Sequence, residues 1–166
     1  KYIDKRDFMD LRKVSMEDSI DAKILDEKLS GLKWKTTLYP ENPQLEISNL
    51  KEAISIIRND NRKKMIVTDY QFISVILSSY DYSPNKYWYK HHAYPTEKDH
   101  KYFKRYRNFI ISKLKENKIE IVYTVKPLWG EDDVLKTLLS DDCVKKTTHT
   151  KILDSHLLLK CSDLGV

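Results

Sequence analysis

Apolar residues along this chain follow two rhythms, one helical and one extended. From Asn42 to Asn59 they recur every three or four positions, so that Leu45, Leu50, Ala53, Ile54 and Ile57 share one side of a helix. Asn42-Pro43 opens it, with a side-chain acceptor at the cap and proline at the first helical position, and Asn59-Asp60-Asn61 closes it. The pattern predicts a helix over 43–59. Lys64-Met65-Ile66-Val67-Thr68-Asp69 is then a short apolar run between polar residues, the pattern of a buried strand in a parallel sheet. Helical spacing returns at once with Phe72, Ile73, Ile76 and Leu77, which predicts a helix over 70–79.

A third helix is predicted over about 98–117, its apolar face made of Tyr102, Tyr106, Phe109, Ile110 and Leu114 and its other side lined with Lys and Arg. Ile119–Val125 reads as a second buried strand. Glu131-Asp132-Asp133 opens a fourth helix, with acidic residues at the positive end of its dipole and Val134, Leu135, Leu138 and Leu139 as its core face. Ile152–Lys160 reads as a last strand, interrupted by the polar Asp154 and Ser155. The order helix–strand–helix–helix–strand–helix–strand predicts an α/β domain: a small layered fold with a mostly parallel sheet of three or more strands flanked by helices.

The first 35 residues are more charged. Phe8, Leu11 and Val14 recur at helical spacing, and Ile24, Leu25, Leu29, Leu32 and Trp34 supply apolar anchors around a turn at Gly31. We expect residues 1–35 to form an amphipathic or irregular segment packing on an α/β domain of residues 36–166. A length of 166 residues fits this single-domain reading, since domains average roughly 100–200 residues. No apolar run approaches the ~20 residues of a membrane span. The chain opens at Lys1-Tyr2 without an initiating Met, and the expectation is a piece excised from a longer protein.

A net charge of +5 permits an anionic partner without requiring one. Its distribution is more informative. Tyr80 to Arg107 holds seven of the eleven tyrosines, together with Trp88 and three of the five histidines. Lys86, Lys90, Lys98, Lys101, Lys104, Arg105 and Arg107 are interleaved among them. Flat aromatic faces beside cationic tips suit sugars, phosphates and nucleic acids, and the same rings also serve to close a core under a long loop.

The three glycines, at 31, 130 and 165, cannot build a phosphate-binding glycine loop, so no nucleotide cofactor of that kind is expected. G-x-S-x-G and H-E-x-x-H are absent. His91-His92 and His100 have no nearby cysteine to complete a metal site, and none is expected. Asp69 stands where a buried strand gives way to a helix, the place where open α/β sheets put ligands. Its carboxylate either meets a ligand there or caps the helix beginning near Tyr70. Lys126 and Trp129 occupy the matching exit from the second strand. Cys143 and Cys161 match neither a C-x-x-C redox pattern nor a zinc knuckle. They are either buried thiols or a disulfide.

Several segments together resemble one family. They are Gly31-Leu32-Lys33-Trp34 before a proline-rich loop, Met65-Ile66-Val67-Thr68-Asp69-Tyr70-Gln71-Phe72-Ile73, Tyr123-Thr124-Val125-Lys126-Pro127-Leu128-Trp129-Gly130, and Cys143 and Cys161 flanking the final strand. From about residue 20 onward the chain resembles the soluble C-terminal region of bacterial polytopic membrane glycosyltransferase-like proteins of the dolichyl-phosphate-mannose protein mannosyltransferase type. The resemblance implies a domain on the periplasmic face of the inner membrane, attached to the membrane-spanning part of its parent, with the two cysteines bonded. It implies no catalytic residue here, because the family's catalytic carboxylate belongs to a loop between early membrane helices. The expected role is accessory: binding or positioning a carbohydrate, a lipid-phosphate-sugar or an acceptor. Asp69, Tyr70, Gln71, Tyr87, Trp88, His91, His92, Lys126 and Trp129 are the expected ligand contacts. A stand-alone nuclease or sugar-modifying enzyme would need convergent acid, base or nucleophile groups, and a nucleic-acid-binding module would need one continuous basic face.

Overall fold

The computed structural model describes residues 19–34, 42–78, 83–85, 88, 93–126, 134–161 and 164. Phe8, Leu11 and Val14, expected on a short helix, lie outside the described residues. The chain divides into two compact units, Lys1–Lys51 and Glu52–Val166. The architecture is mixed α/β, with two sheets and four α-helices among the described residues.

In the first unit, β1 (Ile20–Asp21) pairs antiparallel with β2 (Lys33–Trp34). Two 3₁₀ turns lie between them, each started by an aspartate, Asp21 or Asp26, whose carboxylate accepts the backbone N–H two residues on at 3.0 Å. Gly31 follows at φ +83°, a left-handed conformation that favours glycine. Ala22, Leu25 and Leu29 are buried, whereas Ile24, in the first 3₁₀ turn, and Leu32, just before β2, both expected as anchors, are exposed. The Trp34 indole N–H donates to the buried Glu46 carboxylate at 2.7 Å, which supplies the partner both groups need once dry.

Helix α1 (Pro43–Asn59) starts where the sequence places it, with Asn42 Oδ1 accepting the Leu45 N–H at 2.9 Å. Leu50, Ala53, Ile54 and Ile57 are buried, but Leu45 in the first turn is exposed.

The second unit is built on a four-stranded sheet in the order β3-β4-β6-β5. Strands β3 (Lys64–Thr68) and β4 (Ile121–Val125) are the two buried runs read from the sequence, and they pair in parallel, with Thr68 opposite Val125. Beyond them the sheet departs from the mostly parallel expectation. Strand β6 (Leu153–Leu158) pairs antiparallel with β4, and β5 (Val144–Thr148) pairs antiparallel with β6. Only residues 149–152 separate β5 from β6, too few for the crossover that parallel neighbours require. Strand β5 is an edge strand with mostly exposed side chains, so its sequence carries no apolar rhythm.

Helices pack on both faces. On one side Met65, Val67 and Val122 join a core with α3 (Phe103–Glu116) and α4 (Val134–Leu138). On the other, Ile66 lies beside Ile73 of α2 (Phe72–Leu77), and Asp60, just past α1, receives the Tyr123 hydroxyl at 2.7 Å. The buried face of α3 is Phe103, Ile110, Ile111 and Leu114, rotated away from the expected one and leaving Tyr102 and Phe109 exposed. The loop ahead of α3 closes part of the core. Trp88 is wholly buried and meets Tyr94 edge-to-face at 5.7 Å, and Tyr94 stacks on Tyr106 at 6.0 Å.

Helix α3 ends in a Schellman arrangement: Ile119 N–H bonds Leu114 O at 2.9 Å and Lys118 N–H bonds Lys115 O at 3.0 Å. Lys118 occupies the left-handed position with φ +53°. A side chain there is strained where glycine is not. Lys118→Gly therefore raises stability by about 0.5–1 kcal/mol, read as an upward shift of the urea midpoint at unchanged slope. A lower midpoint would show that the lysine side chain makes compensating contacts.

Candidate functional site

Parallel strands β3 and β4 end side by side, and the groups carried there point to opposite faces by strand alternation. Asp69 and Lys126 continue one face, and Thr68 and Tyr70 the other. The two faces have different chemistry.

The first face is charged. In register across the sheet lie Val67, Thr124, Asp154 and Thr148, and beside that row lie Met65, Val122, His156 and Lys146. Asp154 is completely buried on an interior strand. Its Oδ2 lies 2.9 Å from Lys126 Nζ and 3.0 Å from Lys146 Nζ. These contacts have the distances of close ion pairs without the alignment of good hydrogen bonds. The two lysine side chains remain 24% and 34% exposed, so their stems cover the carboxylate while their heads reach water. Burial pushes the Asp154 pKa up. Lys126, the Thr148 hydroxyl and Lys146 outweigh it and hold the group below the usual carboxylate range. His156 is buried on the same face, between Val122 and Lys146.

Asp69 Oδ1 accepts the backbone N–H of Trp88 at 2.8 Å. That bond ties the aromatic loop to the strand end. Next to it Thr68 Oγ1 accepts the Tyr70 N–H at 3.1 Å, just ahead of α2.

The opposite face holds a cleft of about 310 Å³ between β3, the start of α2 and residues 83–85. Its walls are Thr68, Tyr70, Gln71, Ser74, Ser83 and Asn85, over a floor of Ile66 and Ile73. Ser74 Oγ donates to Gln71 O, Ser83 Oγ donates to Asn85 O, and the Asn85 amide donates to the Tyr106 hydroxyl. Asn85 is thereby fixed to α3. Burial raises the Tyr106 phenol above its ordinary range, with the Asn85 bond opposing.

Two further polar groupings sit on this face. Asp60 takes a bidentate contact from Arg62, at 2.9–3.1 Å, as well as the Tyr123 hydroxyl. Burial works against the Asp60 carboxylate, but Arg62 and Tyr123 keep its pKa well below the usual range. Burial, then Asp60, pushes the Tyr123 phenol up to about 12. His149 Nε2 lies 2.8 Å from Ser155 Oγ, a nucleophile–base distance. Ser155 is nearly wholly buried on β6, so this pair acts as a tie across the β5–β6 hairpin.

Of the expected ligand contacts, the structure brings Tyr70 and Gln71 into the cleft. It puts Asp69 and Lys126 on the opposite face, each bonded as described. Trp88, expected to offer a ring for stacking, is sealed in the core. Tyr87, His91, His92 and Trp129 lie outside the described residues. Cys143 and Cys161 form a disulfide. Sequence reasoning overlooked Asp154, Lys146 and His156 as a group. The available clue was Asp154-Ser155-His156 enclosed between leucines, because polar residues inside an apolar strand have to find partners. No family model matches the chain, and no curated protein or solved structure matches it.

Proposed function

We propose that this chain is a non-catalytic accessory domain of a membrane glycosyltransferase-like protein, on the periplasmic side of the bacterial inner membrane, and that its cleft holds a sugar unit of a carbohydrate or lipid-phosphate-sugar ligand. The observation that carries the reading is the lining of the cleft. Hydroxyls from Thr68, Tyr70, Ser74 and Ser83 and amides from Gln71 and Asn85 surround an aliphatic floor. A pyranose has the complementary surface: hydroxyls around its rim and C–H bonds on its faces. The volume of about 310 Å³ suits a small ligand. Asp69, Lys126 and Asp154 stand on the other face, where each is already engaged, and on the cleft face Asp60 is held by Arg62 and Tyr123 and His149 by Ser155. The Cys143–Cys161 bond adds support, since disulfides persist in oxidising compartments.

Saturation-transfer NMR against a panel of mono- and disaccharides and sugar phosphates tests this. The expected result is specific binding by a subset of the panel. Gln71→Ala should weaken it about fivefold, the equivalent of one hydrogen bond of about 1 kcal/mol, and Tyr70→Leu should weaken it as well. A folded protein that binds no sugar at millimolar concentration, or whose binding ignores both substitutions, overturns the reading.

A further inference from the structure

The outward face of α3 combines features that the cleft does not use. Tyr102, Arg105, Phe109 and Lys113 recur at spacings of three and four, and so form one stripe along the helix. The two rings are 52% and 42% exposed. Each has an ammonium beside it: Lys101 Nζ is 4.7 Å from the centre of the Tyr102 ring, and Lys113 Nζ is 6.0 Å from that of Phe109. The segment 97–116 carries seven cationic side chains against Glu97, Asp99 and Glu116, a surplus of four within a whole-chain net charge of +5. Most of these cations face outward. Lys98, Lys101, Lys104, Arg105 and Lys115 are exposed, while Arg107 turns inward to bond Leu138 O at 2.9 Å.

We propose that this stripe seats the domain on an anionic phospholipid surface. Exposed rings flanked by long cationic stems are the composition of an interfacial contact, in which rings enter the headgroup layer and ammonium groups reach the phosphates. A neutral surface would leave the charge surplus without a counterpart. Nucleic acid fits less well: the Lys101 ammonium, 4.7 Å from the centre of the Tyr102 ring, occupies one face on which a base would stack. Among the described residues no helix is long and apolar enough to cross a membrane. The inference rests on the membrane-associated reading above and names the surface that would hold the domain against the bilayer.

Flotation of the whole chain with liposomes tests it, using vesicles of phosphatidylcholine alone and vesicles with one third phosphatidylglycerol. Co-flotation is expected only with the anionic vesicles, weakening as salt is raised. Each removed charge should cost about fivefold in partitioning, so Lys101→Gln, Lys104→Gln and Arg105→Gln together should cost about a hundredfold. Tyr102→Ser with Phe109→Ser should also release the protein. All five side chains are exposed, so the variants should keep the parent circular dichroism. The proposal fails if the parent does not float with anionic vesicles at low salt, if the ring variant floats like the parent, or if single-stranded DNA of equal charge competes the protein off the vesicles. Sugar binding, measured separately, should survive in these variants. Flotation without sugar binding would sink the cleft reading alone, and sugar binding without flotation would sink this one alone.

Discussion

Replacing both Lys126 and Lys146 by methionine should cost about 3–5 kcal/mol at neutral pH, while either replacement alone costs about 1 kcal/mol. The asymmetry follows from the geometry around Asp154. Its carboxylate is completely buried on an interior strand, and both ammonium groups reach the same oxygen. With one lysine gone, the other still neutralises the site. Without both, the buried anion keeps the Thr148 hydroxyl but has lost both cations. A double-mutant cycle in urea should therefore show strong positive coupling. Its pH dependence gives a second readout. In the parent, Asp154 has a depressed folded-state pKa, so its contribution is fully present above the ordinary carboxylate value and is lost as pH falls through the folded value. In the double variant burial, which raises the pKa, is opposed by the Thr148 hydroxyl but by neither cation, so the pKa rises. The penalty then grows as pH rises above the ordinary value, and acid relieves it. The parent thus weakens toward acid while the variant recovers part of its deficit. Additive single costs, or a deficit that does not change with pH, would mean that Asp154 is held by something other than the two lysines.

The same cluster marks the limit of what the chain's pattern discloses. Local patterns were legible where one physical cause dominated. The Asn42 cap and the apolar side of α1 and the buried runs of β3 and β4 follow directly from capping and from burial. The placement of Tyr70 and Gln71 in a cleft follows from the strand-to-helix transition. Failures arose where tertiary context decides. Val144-Lys145-Lys146-Thr147-Thr148 has no apolar alternation because an edge strand faces water. Missing it made β6 look like a third parallel strand. On α3, aromatic residues on both sides of the helix let Tyr102 and Phe109 pass for core, when Phe103 and Ile111 hold those positions. Lys146 acquires its role only through pairing across β6, which no one-dimensional spacing reveals.

Loss of the disulfide is expected to cost about 3 kcal/mol, from the entropy returned to an unfolded chain once an 18-residue loop is opened. For a chain of this size that lowers Tm by about 6–12 °C. The effect should be local. Cys143 immediately precedes β5 and Cys161 follows β6, so the bond closes the open end of that hairpin, alongside a backbone bond from Leu159 N–H to Cys143 O at 2.8 Å. Strand β5 has one neighbour in the sheet, and past Val144, which packs against the core, its side chains are exposed. In a Cys143→Ala, Cys161→Ala variant, hydrogen exchange should quicken along β5 and the adjoining part of β6, while amides of β3 and β4 lose protection only in step with global stability. Both cysteines are buried, so reductant should reach the native bond only through opening of the hairpin, and reduction should accelerate in urea well below the unfolding midpoint. Uniform loss of protection across all four strands would instead make the bond part of a single cooperative unit. An unchanged Tm would mean that the hairpin is held by the sheet alone, and that the cysteines contribute nothing to the pairing that places Lys146 beside Asp154.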